Sequence, residues 1–309
     1  MWSENQEIET LAQGLAPDLK VKFHDLPHIL QQWAADYGGL KGKRVLDFGC
    51  GFGESAAGIA ELLAPEMVLG VDINPESREC VKFYKGKLGR DGLPDNLKFQ
   101  EIAPGEKIAM DQIDCIFSWS VFEHVNNRMY ASILDDLVAR MKPGGLFFVQ
   151  ISPLYFSPEG SHLWAAGYGK WEHLTHQTSD VVADVEAVKN LNRAEKDGLL
   201  NMYHTLNRIT SDDLLERFGA AGLKLLRLQL DETKLTPPEA LLRAYTRKAL
   251  TTFQIVALFQ KTDGLAPEAI AAAHAEMPAD PAPAPVQAKP KDRLKAVVRR
   301  TLRRKGWME

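Results

Sequence analysis

The spacing of apolar residues changes near residue 40. Before it, Ile29, Leu30, Trp33, Ala34 and Tyr37 recur at helical intervals until Gly38-Gly39 stops the run, predicting a helical segment over residues 1–40. After it, strand-length apolar runs at 44–48, 68–71, 97–102, 113–117 and 146–151 alternate with helical stretches at 54–63, 75–88 and 128–141. Such β-α alternation predicts a doubly wound α/β fold, a mostly parallel sheet with helices on both faces. Thr210 or Ser211 reads as the cap of a further helix, and Pro237-Pro238-Glu239 opens another. Runs at 223–230 and 253–259 complete seven strands and close a module spanning 41–263.

Within that module residues 153–208 carry no strand rhythm. They are dense in rings instead, with Tyr155, Phe156, His162, Trp164, Tyr168, Trp171, His173 and His176. An insertion of this length between regular elements predicts a helical or irregular cap. Beyond the module, 264–290 is rich in Ala and Pro and includes Pro281-Ala282-Pro283-Ala284-Pro285, which predicts an extended linker. In 291–309, Leu294, Val297, Val298, Thr301 and Leu302 put one apolar stripe on a cationic helix.

Composition is ordinary for a soluble globular chain, at 45% hydrophobic and 25% charged over 309 residues. The net charge of −4 conceals a division. Residues 286–309 hold nine Lys+Arg and two Asp+Glu, a local +7, leaving 28 Lys+Arg and 39 Asp+Glu, or −11, in the first 285. The acidic body argues against nucleic acid as a partner. The basic tail suits the anionic inner face of a cell membrane, an acidic protein or nucleic acid, or solvent alone. Three unclustered cysteines, Cys50, Cys80 and Cys115, fit a reducing cytosol, and the polar start Met1-Trp2-Ser3-Glu4 does not read as a secretion signal.

The chemistry begins at Asp47-Phe48-Gly49-Cys50-Gly51-Phe52-Gly53, between a strand and a helix. Three alternating glycines let backbone N–H groups approach a ligand, and the following helix N-terminus favours negative charge. Glu54 stands where a dinucleotide fingerprint needs glycine, and a P-loop lysine is lacking. Asp72, at the end of the second strand, is placed to accept both hydroxyls of a ribose.

Val45-Leu46-Asp47-Phe48-Gly49-Cys50-Gly51-Phe52-Gly53, Gly70-Val71-Asp72-Ile73-Asn74-Pro75, Asp114-Cys115-Ile116-Phe117-Ser118-Trp119-Ser120-Val121-Phe122-Glu123-His124-Val125 and Met141-Lys142-Pro143-Gly144-Gly145 follow one another in order. Together they resemble the motifs of class I S-adenosylmethionine-dependent methyltransferases, closely over roughly 40–152 and loosely in the last two strands. The resemblance implies a Rossmann-like methyltransferase fold with S-adenosyl-L-methionine as cofactor. It assigns Asp47 to the cofactor's amino group, Gly49 and Gly51 to close approach of the methionine portion, Gly53 to the helix entry, Asp72 to the ribose and Ile73 to the adenine, with Cys50 and Ser118 also expected at the cofactor. In many relatives an acidic residue follows the third strand and contacts the adenine amino group. Ala103 aligns there, leaving Glu101, Ile102 or a backbone group for that contact.

Methyl transfer from a sulfonium is an in-line displacement, so positioning dominates and a base is needed only for a protonated acceptor. His124 lies where a doubly wound sheet places ligands, and His173 and His176 are further candidates for an acid-base role. No metal site is expected. Arg208 has two readings, contact with an anionic acceptor or pairing with Asp212-Asp213, of which the pairing is favoured. The expected function is methyl transfer to a small-molecule or saccharide acceptor, at oxygen. The competing reading is a cofactor-binding module that acts without catalysis through its basic tail. Oligomeric state is not encoded in any of these features.

Overall fold

Five parallel strands from the first half of the chain, and two more from the second half added at one edge, the inner of them antiparallel to its neighbours, make the sheet. The computed structural model describes residues 4–74, 79–103 and 105–262, so the linker expected at 264–290 and the basic helix expected at 291–309 lie outside the described residues. The described chain begins with α1 (Glu4–Gln13) and α2 (Pro17–Lys20), followed by a π-helical turn, Val21–Asp25, and α3 (Leu26–Ala34). The α/β body then runs β1 (Arg44–Phe48), α4 (Glu54–Leu62), β2 (Met67–Asp72), α5 (Glu79–Phe83), β3 (Leu97–Glu101), β4 (Ile113–Trp119), α6 (Tyr130–Arg140) and β5 (Met141–Ile151). The cap contributes α7 (Thr178–Ala187) and α8 (Arg193–Thr205). The chain returns through α9 (Ser211–Ala220), β6 (Leu223–Glu232), α10 (Glu239–Leu242), α11 (Arg247–Thr251) and β7 (Thr252–Lys261).

The seven strands lie in the order β3-β2-β1-β4-β5-β7-β6, with β7 antiparallel to both neighbours. Chain direction across the sheet reverses between β1 and β4, which pair in register from Val45↔Cys115 to Asp47↔Phe117. That switch point opens a crevice at the strands' carboxyl ends, the place where such sheets bind ligands. The mostly parallel, doubly wound sheet expected from the alternation is what the chain forms.

The two-residue strand period divides the core between the faces. Val45, Cys115, Phe117, Leu146 and Phe148 point toward α1, α3 and α4, packing with Ile8, Phe23, Leu30 and Trp33. Leu46, Ile116, Phe147 and Val149 point the other way, to Phe122, Leu134, Leu214 and Phe218. Central strands buried on both faces must be apolar at nearly every position, which is why they stand out in the sequence.

Boundaries differ where tertiary pairing overrides local signals. The fifth strand starts at Met141 rather than 146, because Met141 pairs with Ile113 across a bulge that admits Pro143-Gly144-Gly145. Within the helix expected at 75–88, α5 covers Glu79–Phe83 and continues as a π-helical turn, Tyr84–Leu88. Thr210, not Ser211, caps α9, its hydroxyl accepting from Asp213 N–H at 3.1 Å. The cap has its own small core of Tyr155, Leu163, Val181, Val185, Leu199 and Tyr203.

Candidate active site

At the cofactor end of the crevice, Asp47 is buried to 2% exposure, and its Oδ2 has no hydrogen-bond partner. Burial, reinforced by the nearby Asp72 charge, pushes the Asp47 carboxyl up to about 8, while the Ala56 backbone N–H pulls the other way. The glycine loop folds back on β2, with the Gly49 and Cys50 amides donating to the Val71 carbonyl at 2.8 and 3.0 Å. Asp72 accepts from the Gly51 N–H at 2.8 Å and the Asn74 N–H at 3.0 Å, which orients both carboxylate oxygens and leaves lone pairs for hydroxyl donors. Beside it Ile73 is 60% exposed, a large apolar side chain held in the open at the crevice mouth.

The loop glycines separate by role. A Cβ at Gly49, where φ is +80°, would lie 2.2 Å from Val121 Cγ2, so this glycine serves the packing of β1 against the turn after β4. Gly51 faces open space at φ +53°, the position in the loop that a ligand can approach. Gly53 closes the loop, with a hypothetical Cβ 2.5 Å from the Phe99 ring, and passes directly into α4.

The acceptor end is assembled from the turn after β4 and from the cap. His124 closes a short 3-10 turn, Phe122–His124, and its Nδ1 lies 2.9 Å from Thr205 Oγ1 at the end of α8. Thr205 spends its own proton on the Met202 carbonyl at 2.9 Å, so it accepts from His124 Nδ1–H, and Nε2 is the ring nitrogen that carries the lone pair. Asn207 fastens this arrangement. Its amide donates to the Phe122 and Val125 carbonyls at 2.5 and 2.9 Å, and its backbone N–H donates to the Glu123 carbonyl at 2.8 Å. Glu123 is 2% exposed, neither carboxyl oxygen has a partner, and burial pushes it up to about 8.

His162 stands edge-on to His124 at 5.5 Å, and its Nε2 lies 3.2 Å from the Pro153 carbonyl. Burial, with His124 as a neighbouring titrating ring, lowers His162 to about 3, so it is a neutral donor. His173 is lowered to about 4 by burial; its Nε2 is 2.7 Å from the Tyr155 carbonyl and its buried Nδ1 is unpartnered. Four non-glycine residues of the turn and cap, Ser120, His162, Trp171 and Arg208, hold positive φ between +54° and +61°. Such conformations cost energy and persist where surrounding structure enforces them.

The structure therefore brings Asp47, Gly51, Asp72 and Ile73 together at one end of the crevice and His124 to the adjoining end. It places others differently. Ser118 is fully buried, and its hydroxyl donates to the Phe48 carbonyl at 3.1 Å, joining β4 to β1 instead of facing the opening. Cys50 is 8% exposed, its thiol pushed up by burial. Ile102 is buried with its N–H on the Asp72 carbonyl oxygen at 2.9 Å, whereas Glu101 is exposed at the end of β3, opposite Asp72 in register. His173 and His176 do not form a pair: His173 is locked inside the cap, while His176 is exposed, its Nδ1 2.8 Å from the Glu172 carbonyl. Arg208 does not pair with the acidic turn. Lys248 takes Asp212 at 2.5 Å, Asp213 caps α9, and the Arg208 guanidinium lies over the Tyr155 ring at 5.0 Å.

Glu123, Thr205 and Asn207 were given no role from sequence, whereas His162 stood among the cap rings. The phrase Thr205-Leu206-Asn207-Arg208 carried a faint signal, since polar residues between two helices at the end of an insertion suit a return to the site. A polar chain running inward from the surface was also missed: Ser120 Oγ donates to Gln150 Oε1 at 3.0 Å, and Gln150 Nε2 to Gln254 Oε1 at 3.0 Å.

The model of a family described as "Methyltransferase domain" matches residues 22–228. A ubiquinone biosynthesis O-methyltransferase from Aeromonas salmonicida is 30% identical over 130 residues, 41% of this chain and 51% of the relative. A tRNA U34 carboxymethyltransferase from Hahella chejuensis is 33% identical over 156 residues, 45% of each chain. The chain thus spans about half the length of the curated relatives it matches. A solved structure from Galdieria sulphuraria, assigned as a sarcosine dimethylglycine methyltransferase, superposes with a TM-score of 0.50 at 15% identity, covering 77% of this chain and 86% of that one. That likeness concerns the fold alone.

Proposed function

The chain belongs to the class I S-adenosylmethionine-dependent methyltransferase family, and from that premise we propose that it methylates a hydroxyl oxygen of a small-molecule or saccharide acceptor bound between the turn after β4 and the cap. The cofactor suits the residues present. The unpartnered Asp47 Oδ2 offers an acceptor to an ammonium group, Asp72 has lone pairs to spare for a ribose, Gly51 leaves room beside the loop, and Ile73 supplies an apolar surface for an adenine. When bound, S-adenosylmethionine supplies an electrophilic methyl carbon on a sulfonium sulfur.

The observation that carries the acceptor side is the His124–Thr205 hydrogen bond. It fixes the tautomer that presents a basic Nε2, and a hydroxyl acceptor must lose a proton as its oxygen is methylated. His162, held neutral by burial, leaves His124 without a fixed cationic neighbour on that side. Arg208, with no carboxylate partner among the described residues, offers a charge to an acceptor bearing a carboxylate or phosphate near Tyr155. The names of the ubiquinone O-methyltransferase relatives favour oxygen as the nucleophile, while the −11 charge of the first 285 residues disfavours a tRNA acceptor. No helix among the described residues is long and apolar enough to cross a membrane.

The test is S-adenosylhomocysteine release by the full chain supplied with S-adenosylmethionine and, in turn, phenols, saccharides and bulk tRNA. Turnover dependent on a hydroxylated small molecule is expected. Turnover with tRNA alone would overturn the acceptor assignment.

A further inference from the structure

Away from the crevice, the N-terminal helices hold a second group of ligating side chains. Glu9 on α1 reaches His24 in the π-helical turn, with Oε2 to Nε2 at 2.7 Å, and His28 on α3, with Oε1 to Nε2 at 3.0 Å. The two imidazoles are four residues apart on one helical face, their centroids 4.5 Å from each other, and the ligating atoms of all three residues lie within 4.8 Å. His24 Nδ1 lies 2.8 Å from Asp25 Oδ1.

His24 thus has a carboxylate oxygen against each ring nitrogen. With a divalent metal on Nε2, Nδ1–H would donate to Asp25, the outer carboxylate that commonly orients a metal-bound histidine. Two imidazoles, one carboxylate and a solvent-open fourth position form a donor set suited to zinc-class ions. Tetrahedral bonds of about 2.0–2.1 Å put ligand atoms about 3.3 Å apart, a few tenths of an ångström beyond the two contacts here. Exposures of 40% for Glu9 and 43% for His28 leave the site accessible.

We propose that Glu9, His24 and His28 form a divalent transition-metal site of the zinc class that ties α1 to the π-helical turn. That turn reaches the glycine loop. A Cβ at Gly58 of α4 would lie 1.8 Å from the Phe23 carbonyl oxygen, so the two backbones touch. Lys22 reaches Glu54 at 3.5 Å and lies over the Phe52 ring at 5.9 Å. The metal therefore steadies the segment that braces the loop from behind, whatever acceptor the crevice takes.

The test uses the full chain, stripped with chelator and titrated with Zn²⁺ alone by calorimetry, with Co²⁺ absorption reporting coordination. Wild type is expected to bind one equivalent and to melt higher with Zn²⁺. Glu9→Gln and His28→Ala should each weaken binding at least tenfold, while His204→Ala, at an exposed cap histidine, retains it. Absence of a one-equivalent Zn²⁺ isotherm in wild type, or equal affinity in folded His28→Ala, would overturn the site and would leave the methyltransferase assignment untouched.

Discussion

Two sets of groups around the crevice, its carboxyls and the imidazoles of the cap, are moved in opposite directions by burial. At the glycine loop and the turn after β4, carboxyls are desolvated and pushed up, Asp47 and Glu123 each to about 8. In the cap, imidazoles are desolvated and pushed down, His162 to about 3 and His173 to about 4. Both sets thereby favour the neutral form, because a low dielectric penalises whichever form is charged. They differ in what can restore the charge. On the reading proposed above, an arriving ammonium would draw Asp47 into its ionised form, whereas His162 and His173 already hold Nε2 against the Pro153 and Tyr155 carbonyls and gain little from a proton. On that reading the glycine-loop end responds to its ligand, while the cap stays fixed around His124.

The largest effect that would break this comparison lies at His124. His124→Ala should lower methyl turnover by about 10²–10⁴-fold, the range of a lost general base, with S-adenosylhomocysteine affinity by calorimetry unchanged. If both fall together, His124 belongs to the cofactor end instead. Asp72→Ala removes an acceptor held by two backbone amides and should weaken S-adenosylhomocysteine binding about 100-fold, leaving the melting temperature of the free protein nearly constant. Asn207→Ala strands the Phe122 and Val125 carbonyls and should cost about 2–4 kcal/mol in urea unfolding, with turnover falling through displacement of His124.

The smallest effect is the pH dependence of stability. Glu123 titrates at about 8 in the fold against 4.5 in the unfolded chain, so the folded state holds the extra proton and loses that advantage as pH rises from about 4.5 to 8. His162 and His173, lowered from 6.5, lose theirs as pH falls from about 6.5 toward 4. The free protein should be most stable near pH 6. Between pH 6.5 and 8, Glu123→Gln should flatten the decline by about 1.5–2 kcal/mol, measured by urea midpoints at each pH. An unchanged slope would show that Glu123 is solvated in the fold.

The cofactor end was largely legible in the chain because its parts are local. A strand, three alternating glycines and a helix start lie within ten residues of one another, and Asp72 ends the next strand, so spacing alone places them at one edge of a parallel sheet. Ser118 misled because it too stands near a strand's end; pairing with β1 turned its hydroxyl inward to Phe48. The cap was legible only as an insertion dense in rings. Which ring faces which depends on the return of α8 over β4, joining His124 to Thr205 across 81 positions and Asn207 to Phe122 across 85. His24 and His28 showed helical spacing, but their partner Glu9 sits on a separate helix, and the grouping exists only once α1 packs beside the π-helical turn.

The sequence by itself determined the alternation of strands and helices and the carboxylates that end the first two strands, because each follows from hydrophobic period and short-range backbone geometry. Only the tertiary structure decided which titratable groups lose water. Burial, and with it the tautomer of His124, the neutrality of His162 and His173, and the release of Arg208 from the acidic turn, is set by segments that meet in space from distant parts of the chain. Desolvation depends on everything packed around a group, and no local pattern records it.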